Sequence, residues 1–332
     1  MYHINQFVSA GGMNAAGVRP EAQCRKVAVL GGDGFLGSHF VEQLLAHGHE
    51  VTVLDRFRGG HAKNIGQLAG RSRWIAGDAW DEATAARALE GQDMAALFIS
   101  SSTPLQAWRS PLGVIENEML PTVRLFGLCA RLGVRKVVFA SSGGTIYGPQ
   151  PGVLSECVLP RPNNPHGIAK LAEEQFLRYY ADSAGLVADC YRIGNLYGPR
   201  QPIGREQGVI AAWIGRILEG RPIDVYGDAS CVRDYIYAED AARLMVHSLS
   251  DLGSGDVYNL GTGVGTSIVE LLEVFRRACG RAFVSRLHPR RPADNTSAIL
   301  DSAKLLRQFP GFAFRKLEDG VARALDWAQS AG

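Results

Sequence analysis

Apolar residues arrive in two rhythms along this chain. Lys26–Leu30 reads KVAVL, a short continuous apolar run, and Glu50–Leu54 (EVTVL), Arg73–Ala76, Ala95–Ser100 and Lys136–Ala140 repeat the type. Between them lie helix-length segments: Phe35–Ala46, closed by Gly48, and Leu112–Leu132, whose apolar residues recur at helical spacing. Unbroken apolar strands alternating with helices predict a parallel sheet covered on both faces, a doubly wound α/β fold. After about Asn195 the rhythm changes. Helical patterns at Val209–Leu218, Glu239–Ser248 and Ser267–Ala278 are separated by Gly/Pro turns and by short strands such as Ile223–Tyr226 and Val257–Leu260. This divides the chain into a loose extension over 1–25, a strand–helix domain over 26–195, and a smaller α/β domain over 196–332. No single linker stands out, so the two larger regions are expected to interleave.

Composition narrows the possibilities. A length of 332 residues suits about two domains, and 46% apolar with 20% charged residues is ordinary for a globular chain. Disorder, collagen and coiled coil are excluded as descriptions of the whole. Thirty-five Lys and Arg against 33 Asp and Glu leave +2, so no basic field points to nucleic acid. Any anion must be held by a local site. The six cysteines contain no C-x-x-C pair and read as reduced, mostly buried thiols. No apolar run approaches the ~18 residues of a membrane span, and Met1–Arg25 lacks a signal-peptide pattern. The cytoplasm is the expected compartment.

The first chemistry follows the first strand. Gly31-Gly32-Asp33-Gly34-Phe35-Leu36-Gly37 can be read as G-x-x-G-x-x-G from Gly31 or as G-x-G-x-x-G from Gly32. Residues without a β-carbon let the backbone approach a pyrophosphate, which then sits at the positive end of the next helix. Asp55 ends the second strand, 24 residues after Gly31. A carboxylate there accepts both ribose hydroxyls of an adenosine and repels a 2′-phosphate, favouring NAD over NADP. The bland alternative, a tight strand–helix turn, explains the glycines but not the acid. The expected sheet is therefore Rossmann-type, with Gly31, Gly34, Phe35, Leu36, Gly37 and Asp55 at the cofactor. Asp78 and Ala79, in the turn after the third strand, are placed to reach the adenine. Arg56 and Arg58 read as solvated loop charges.

A second constellation then falls into order. Ser141-Ser142-Gly143-Gly144-Thr145-Ile146-Tyr147-Gly148 ends the fifth strand, and 18 residues past Gly148 comes His166-Gly167-Ile168-Ala169-Lys170. Arg192-Ile193-Gly194-Asn195-Leu196-Tyr197-Gly198-Pro199-Arg200-Gln201, Gly227–Tyr235 and Arg291-Pro292-Ala293-Asp294 complete it. From about Lys26 to Trp327 this order resembles the extended short-chain dehydrogenase/reductase family, in its nucleotide-sugar branch typified by UDP-galactose 4-epimerase.

The resemblance implies a Tyr-x-x-x-Lys pair, in which Lys binds the nicotinamide ribose and lowers the tyrosine pKa, Tyr takes a sugar hydroxyl proton, and a serine steadies the same oxygen. Lys170 matches the lysine; the tyrosine position holds His166. Residues i and i+4 share a helix face, so both can serve one site. An imidazole beside an ammonium has its pKa lowered and is a neutral proton acceptor near pH 7. Histidine is shorter than tyrosine, so a water or Ser142 has to fill the gap. Three readings stand: a replacement acid–base, a relict in a protein of weak turnover, or a substitution introduced in the laboratory. The third serine of the epimerase string S-S-S-A-T-V-Y-G falls on Gly143. Relatives with S-S-G-G exist, and there the hydroxyl role passes to Ser142 or Thr145. The resemblance adds Ser100, Ser141 and Ile193 to the cofactor set. Phe98-Ile99-Ser100-Ser101 departs from the usual H-x-A-A and Glu118 from the usual Asn, either of which alters the sugar pocket.

At the other end, Asn195 can donate to a diphosphate, Arg233 and Arg291 offer planar forks for phosphate oxygens, and Asp294 can accept from a nucleoside ribose. Plain ion pairs, Arg233 with Asp234 and Arg291 with Asp294, are the alternative. His47-x-His49 has no further ligands at metal spacing and reads as a solvated turn, so no metal is expected. The resemblance also suggests that the apolar stripes of Leu112–Leu132 and Ile168–Leu186 build a four-helix homodimer interface besides core. Gly144 and Thr145 stand where related dehydratases and decarboxylases carry acids, which disfavours elimination. What remains is NAD-dependent 4-epimerisation of a nucleotide sugar, with UDP the expected carrier. A 4-ketoreductase, or a catalytically silent NAD-binding protein, is the alternative.

Overall fold

The computed structural model describes residues 24–57, 62–203, 208–227, 231–247, 249, 253, 255–280, 282–289 and 297–330. Its first half runs β1 (Lys26–Leu30), α1 (Phe35–Ala46), β2 (Glu50–Asp55), β3 (Arg73–Ala76), α2 (Glu82–Leu89) and β4 (Met94–Leu97). Then come α3 (Pro104–Arg109), α4 (Pro111–Val114), a π-helical turn over Ile115–Met119, α5 (Leu120–Arg131) and β5 (Lys136–Ser142). After them follow α6 (Gly143–Ile146), β6 (Val153–Leu154), α7 (Pro165–Ala184), β7 (Val187–Ile193) and β8 (Asn195–Tyr197). The second half adds α8 (Val209–Leu218), β9 (Ile223–Tyr226), β10 (Val232–Tyr237), α9 (Ala238–His247), β11 (Asp256–Leu260), β12 (Gly265–Ser267), α10 (Ile268–Cys279), β13 (Ser285–His288), β14 (Ser297–Leu300), α11 (Ala303–Leu306) and α12 (Leu317–Ser330).

Seven strands form one sheet in the order β11-β7-β5-β4-β1-β2-β3, every neighbouring pair parallel. This is the doubly wound arrangement that the apolar runs predict. Their lack of polar alternation has a direct cause: both faces are covered. Val27 and Val29 join Phe40, Leu44 and Val53 on one side, while Ala28 and Leu30 join Leu54, Phe126 and Phe139 on the other. The chain winds outward from β1 through β2 and β3, then crosses back to β4. The connections leaving β1 and β4 diverge there, which opens a crevice at their carboxyl ends.

A smaller sheet, β12-β10-β14-β6 with β8 also on β10, sits beside it. Strands are exchanged between the halves: β11 joins the large sheet beside β7, and β6 joins the small one beside β14. A separate apolar cluster around Trp213, Leu271, Phe275 and Leu325 supports the small sheet.

Two expected elements differ. The fourth strand ends at Leu97 rather than Ser100, because Ser100–Ser102 turn aside to bond the π segment described below. The single helix over Leu112–Leu132 is broken. Pro121 lacks an N–H, so an α-helix through it loses the bond to the Asn117 carbonyl and the ring crowds that turn. The π turn absorbs the defect, and Ser101 Oγ donates to the Asn117 oxygen at 3.0 Å. Of the cysteines, Cys129, Cys190 and Cys231 are buried, while Cys24 and Cys157 are exposed; all are free thiols. Among the described residues no helix is long and apolar enough to cross a membrane.

Candidate active site

The glycine turn leads from β1 into α1 at the crevice. Gly31 has φ +84°, and a Cβ there would stand 2.6 Å from the Phe98 carbonyl oxygen at the end of β4. A Cβ on Gly37 would collide with the Gly31 carbonyl oxygen. Only glycines bring α1 this close to the sheet. The first amides of an α-helix have no acceptor within it. At α1 no side chain caps them and no acidic residue lies in the first turn. Phe35, Leu36 and Gly37 thus present open N–H groups at the positive helix end, which suits a pyrophosphate.

Asp55 completes the cradle. One carboxylate oxygen accepts from Asp33 N at 2.9 Å and the other from Arg56 N at 2.7 Å. The remaining lone pairs can accept a ribose diol. Burial raises the Asp55 pKa, and the N–H groups of Arg56 and Asp33 oppose the rise. Asp33 fixes the neighbouring loop by accepting from the amides of Lys63, Asn64 and Ile65. Asp78, exposed, closes its own turn on Trp80 N, and Ala79 is buried beside it. These residues fit the pyrophosphate and adenosine ribose of a dinucleotide.

The second part of the site is the start of α7. Asn164 caps it, accepting from Gly167 N at 2.9 Å, and Pro165 occupies the first turn. His166 follows, 8% exposed, with Lys170 one turn on at 4%. A Cβ on Gly167 would lie 2.6 Å from the Thr145 carbonyl oxygen, so glycine lets α6 lean on the residue after His166. That contact packs Thr145 against the first turn of α7, which carries His166. Thr145 Oγ1 donates to Ser142 Oγ at 2.8 Å, which leaves the Ser142 proton available to another acceptor. Gly143 cannot carry the third serine: a Cβ there would meet Leu300 Cδ1 at 2.5 Å and the Arg192 carbonyl oxygen at 2.8 Å. Gly144 faces open space.

Lys170 departs most from its expected position. Its ammonium pairs with Glu118 Oε1 and Glu173 Oε2, both at 2.9 Å, and lies over the Phe139 ring. Burial lowers its pKa, but the two carboxylates outweigh burial and raise it. Glu118, fully buried on the π turn, is the hub of this cluster. It accepts from Ser100 Oγ (2.9 Å), Ser102 N (3.0 Å) and Ser102 Oγ (2.6 Å) as well as from Lys170. Burial pushes the Glu118 carboxyl up, yet Lys170, His166 and the Ser102 hydroxyl hold it at about 2. His166 responds as a buried base. Burial takes its pKa down to about 4, helped by Lys170 and opposed by Glu118. The lowering expected from sequence is present, with burial rather than the ammonium as its main cause.

Other expected residues have found other partners. Ser141 Oγ donates to Glu174 at 2.6 Å, in a buried network where Arg192 pairs with the same carboxylate at 2.7 Å. Its hydroxyl is thus engaged beneath the site, and Ser100 serves Glu118. Ile193 is buried at the end of β7. Asn195 Nδ2 donates to the Asp234 carbonyl at 3.3 Å, and Arg233 Nη1 donates to its neighbour's carbonyl at 3.0 Å. The alternative pair of Arg233 with Asp234 is corrected. Asp234 is fully buried and accepts from Thr262 N and Oγ1, Gly263 N and Leu300 N. Arg291, Asp294 and Arg58 lie outside the described residues. His47 bonds the Gln43 carbonyl, while His49 is buried and receives Arg25 N, which corrects the reading of a wholly solvated turn. Among the described residues no cluster could hold a metal.

Ser102, Glu173 and Glu174 were not singled out by the sequence reading. Their signals were weak: a third serine in the Ser100–Ser102 run, and two acids three and four residues after Lys170.

Comparison with known proteins identifies the family and the fold. The family model described as the NAD dependent epimerase/dehydratase family matches residues 27–261. The UDP-glucose 4-epimerase of Mycolicibacterium smegmatis is 32% identical over 312 residues, spanning 91% of this chain and 98% of that protein. The Thermus thermophilus UDP-glucose 4-epimerase, solved with NAD, superposes with a TM-score of 0.83 at 34% identity, covering 92% of this chain and all of that one. A Methanobrevibacter ruminantium UDP-N-acetylglucosamine 4-epimerase, in complex with UDP-N-acetylmuramic acid, gives 0.84 at 27% identity, covering 92% and 99%.

Proposed function

The chain belongs to the NAD dependent epimerase/dehydratase family, and from that premise we propose that it is an NAD-dependent nucleotide-sugar 4-epimerase acting on a UDP-sugar. The observation that carries the reading is the uncapped glycine turn into α1, which suits a dinucleotide, together with a buried His166 one turn before Lys170 on α7.

Held by these residues, NAD would supply reversible hydride acceptance at the sugar carbon. The chain's own residues do the rest. The amides of Phe35, Leu36 and Gly37 hold the pyrophosphate beside Gly31 and Gly34, and Asp55 holds the adenosine ribose. Asp78 and Ala79 border the adenine, and Ser100, Ser141 and Ile193 shape the nicotinamide end. His166 accepts the hydroxyl proton and later gives it back. Ser142, fed by Thr145, donates to the oxygen that becomes a carbonyl. Lys170 keeps the surrounding charge balanced. Asn195 and Arg233, with Arg291, hold the diphosphate of the nucleotide sugar while the keto-sugar turns, and Asp294 accepts from the nucleoside ribose. Gly144 and Thr145 supply no acid for elimination. The carboxylate at Asp55 weighs against an NADPH-dependent ketoreductase.

The surface supports a homodimer through α5 and α7. Leu112 on α4, Ile115 on the π turn before α5, Leu120 on α5 and Ile168, Phe176 and Tyr179 on α7 are all at least 43% exposed, apolar side chains that a second copy would cover. The cytoplasm is the compartment we assign.

One observation favours the silent NAD-binding alternative: Lys170 spends its charge on Glu118 and Glu173. A single experiment separates the two. NAD retained on purification is measured, and UDP-glucose, UDP-galactose and their N-acetyl and uronic forms are assayed with the natural chain and with His166→Ala. Turnover lost in the variant, with NAD retained, supports the epimerase. Bound NAD with no turnover on any of these sugars overturns it, and activity unchanged in His166→Ala removes the role given to that residue.

A further inference from the structure

Resting on the reading of His166 as the proton acceptor, we propose that Ser102 and Glu118 are positioning residues that fix which imidazole nitrogen faces the substrate. Ser102 Oγ lies 2.6 Å from Glu118 Oε2 and 3.4 Å from His166 Nδ1. A hydroxyl has one proton to give. The short contact to a carboxylate is charge-assisted and takes that proton. Ser102 can then meet Nδ1 only as an acceptor, so Nδ1 carries the hydrogen. Nε2 is left with its lone pair, and this is the nitrogen that can take a proton from a sugar hydroxyl.

The arrangement works as a bridge of one hydroxyl between a base and a buried anion. When Nε2 takes the substrate proton the ring becomes a cation, with a hydrogen on each nitrogen. The charge that builds up is answered through Ser102 by Glu118. No proton need pass beyond the ring: the one accepted during oxidation returns to the sugar oxygen during reduction. Two charged groups act on His166: Lys170 from its own helix, which disfavours the cation, and Glu118 from the π turn, which favours it. Lys170 is in turn tied to Glu118 and Glu173. Glu118 thus offsets the ammonium next to a residue that must become positive, a burden a tyrosine at this position would not carry.

The π turn explains how a carboxylate comes to be there. Pro121 forces the extra residue into the helix, and that turn directs Glu118 inward. Ser101 satisfies the Asn117 carbonyl and Ser100 and Ser102 satisfy the carboxylate. The serine run, Glu118 and His166 therefore act as one unit, and Ser100, Ser101, Glu118 and His166 are positions where this chain departs from the pattern it resembles.

The test reads the ring itself. Nitrogen-15 NMR of histidine-labelled protein, with the His166 signal identified by its loss in His166→Ala, reports the tautomer without any need for turnover. The natural chain is expected to show hydrogen on Nδ1 at neutral pH. Ser102→Ala removes the bridge yet keeps the charges, and is expected to move the population toward hydrogen on Nε2. It should also lower kcat about 10- to 100-fold, no more than the 10²–10⁴ that a positioned base supplies in full, with KM little changed. Ser102→Thr, which keeps the hydroxyl, should restore both. Glu118→Gln should shift the acid limb of the kcat profile to lower pH, since the anion that favours the cation is gone. A Ser102→Ala ring still holding its hydrogen on Nδ1 overturns the proposal while leaving His166 as the base. Full activity in His166→Ala overturns the reading beneath it instead.

Discussion

Lowering the pH should destabilise this protein through His166 specifically, by an amount that follows from its surroundings. An unfolded histidine titrates near 6.5, while burial beside Lys170 brings His166 to about 4 in the folded chain. Between these values the unfolded state binds the proton and the folded state does not. Stability therefore rises with pH across this window and is lost as pH falls toward 4. The full difference amounts to ~3 kcal/mol between pH 7 and pH 4, of which ~2 kcal/mol is already lost at pH 5. The residue is only 8% exposed, so solvent screening removes little of it. Buried His39 and His49 have lowered pKa values too and add their own acid sensitivity. The measurement must therefore be a difference. Urea unfolding of the natural chain and of His166→Gln at pH 7, 6 and 5 isolates the contribution, because the other histidines are common to both. The variant should lose ~2 kcal/mol less than the natural chain between pH 7 and pH 5. Equal losses in the two proteins would refute the argument, as would an NMR titration placing the His166 ring near 6.5.

Three further outcomes are expected. Gly37→Ala drives a methyl group into the Gly31 carbonyl; it should cost ~1–3 kcal/mol and weaken NAD binding at least about tenfold by calorimetry, and unchanged affinity would contradict the cradle. Gly143→Ser, which restores the serine of the epimerase string, meets Leu300 and the Arg192 carbonyl; it should destabilise by ~1–3 kcal/mol without raising turnover, whereas Gly144→Ser enters open space and should change stability by less than about 0.5 kcal/mol. Asp234→Ala removes the acceptor of the Thr262, Gly263 and Leu300 amides, and the buried Leu300 N–H left unmet costs ~1–3 kcal/mol, so it should unfold at lower urea than Arg233→Ala; similar midpoints for the two would restore the ion-pair reading.

Local chemistry was readable from the chain alone. The apolar runs named every strand of the large sheet except β7, whose Asp189 and Arg192 interrupt the run, since a strand buried on both faces needs no polar alternation and shows it. The Gly31–Gly37 turn followed by Asp55 identified the cofactor end, because backbone approach and diol binding are properties of a few neighbouring residues. His166 and Lys170 were paired by helical spacing. What stayed hidden was the choice of partner over long separations. Ser102 meets His166 from 64 positions away, and Leu300 closes on Asp234 from 66. No periodicity encodes such meetings. Lys170 was expected at the nicotinamide ribose because its own helix does not reveal that it pairs with Glu118, which comes from a π turn that Pro121 makes necessary. Asp234 looked like a surface acid because nothing adjacent reveals that the loop after β11 and the strand β14 bring their amides to it. A charge in a sequence has a sign; its neighbours, its burial and hence its pKa come only from the packing that selects them.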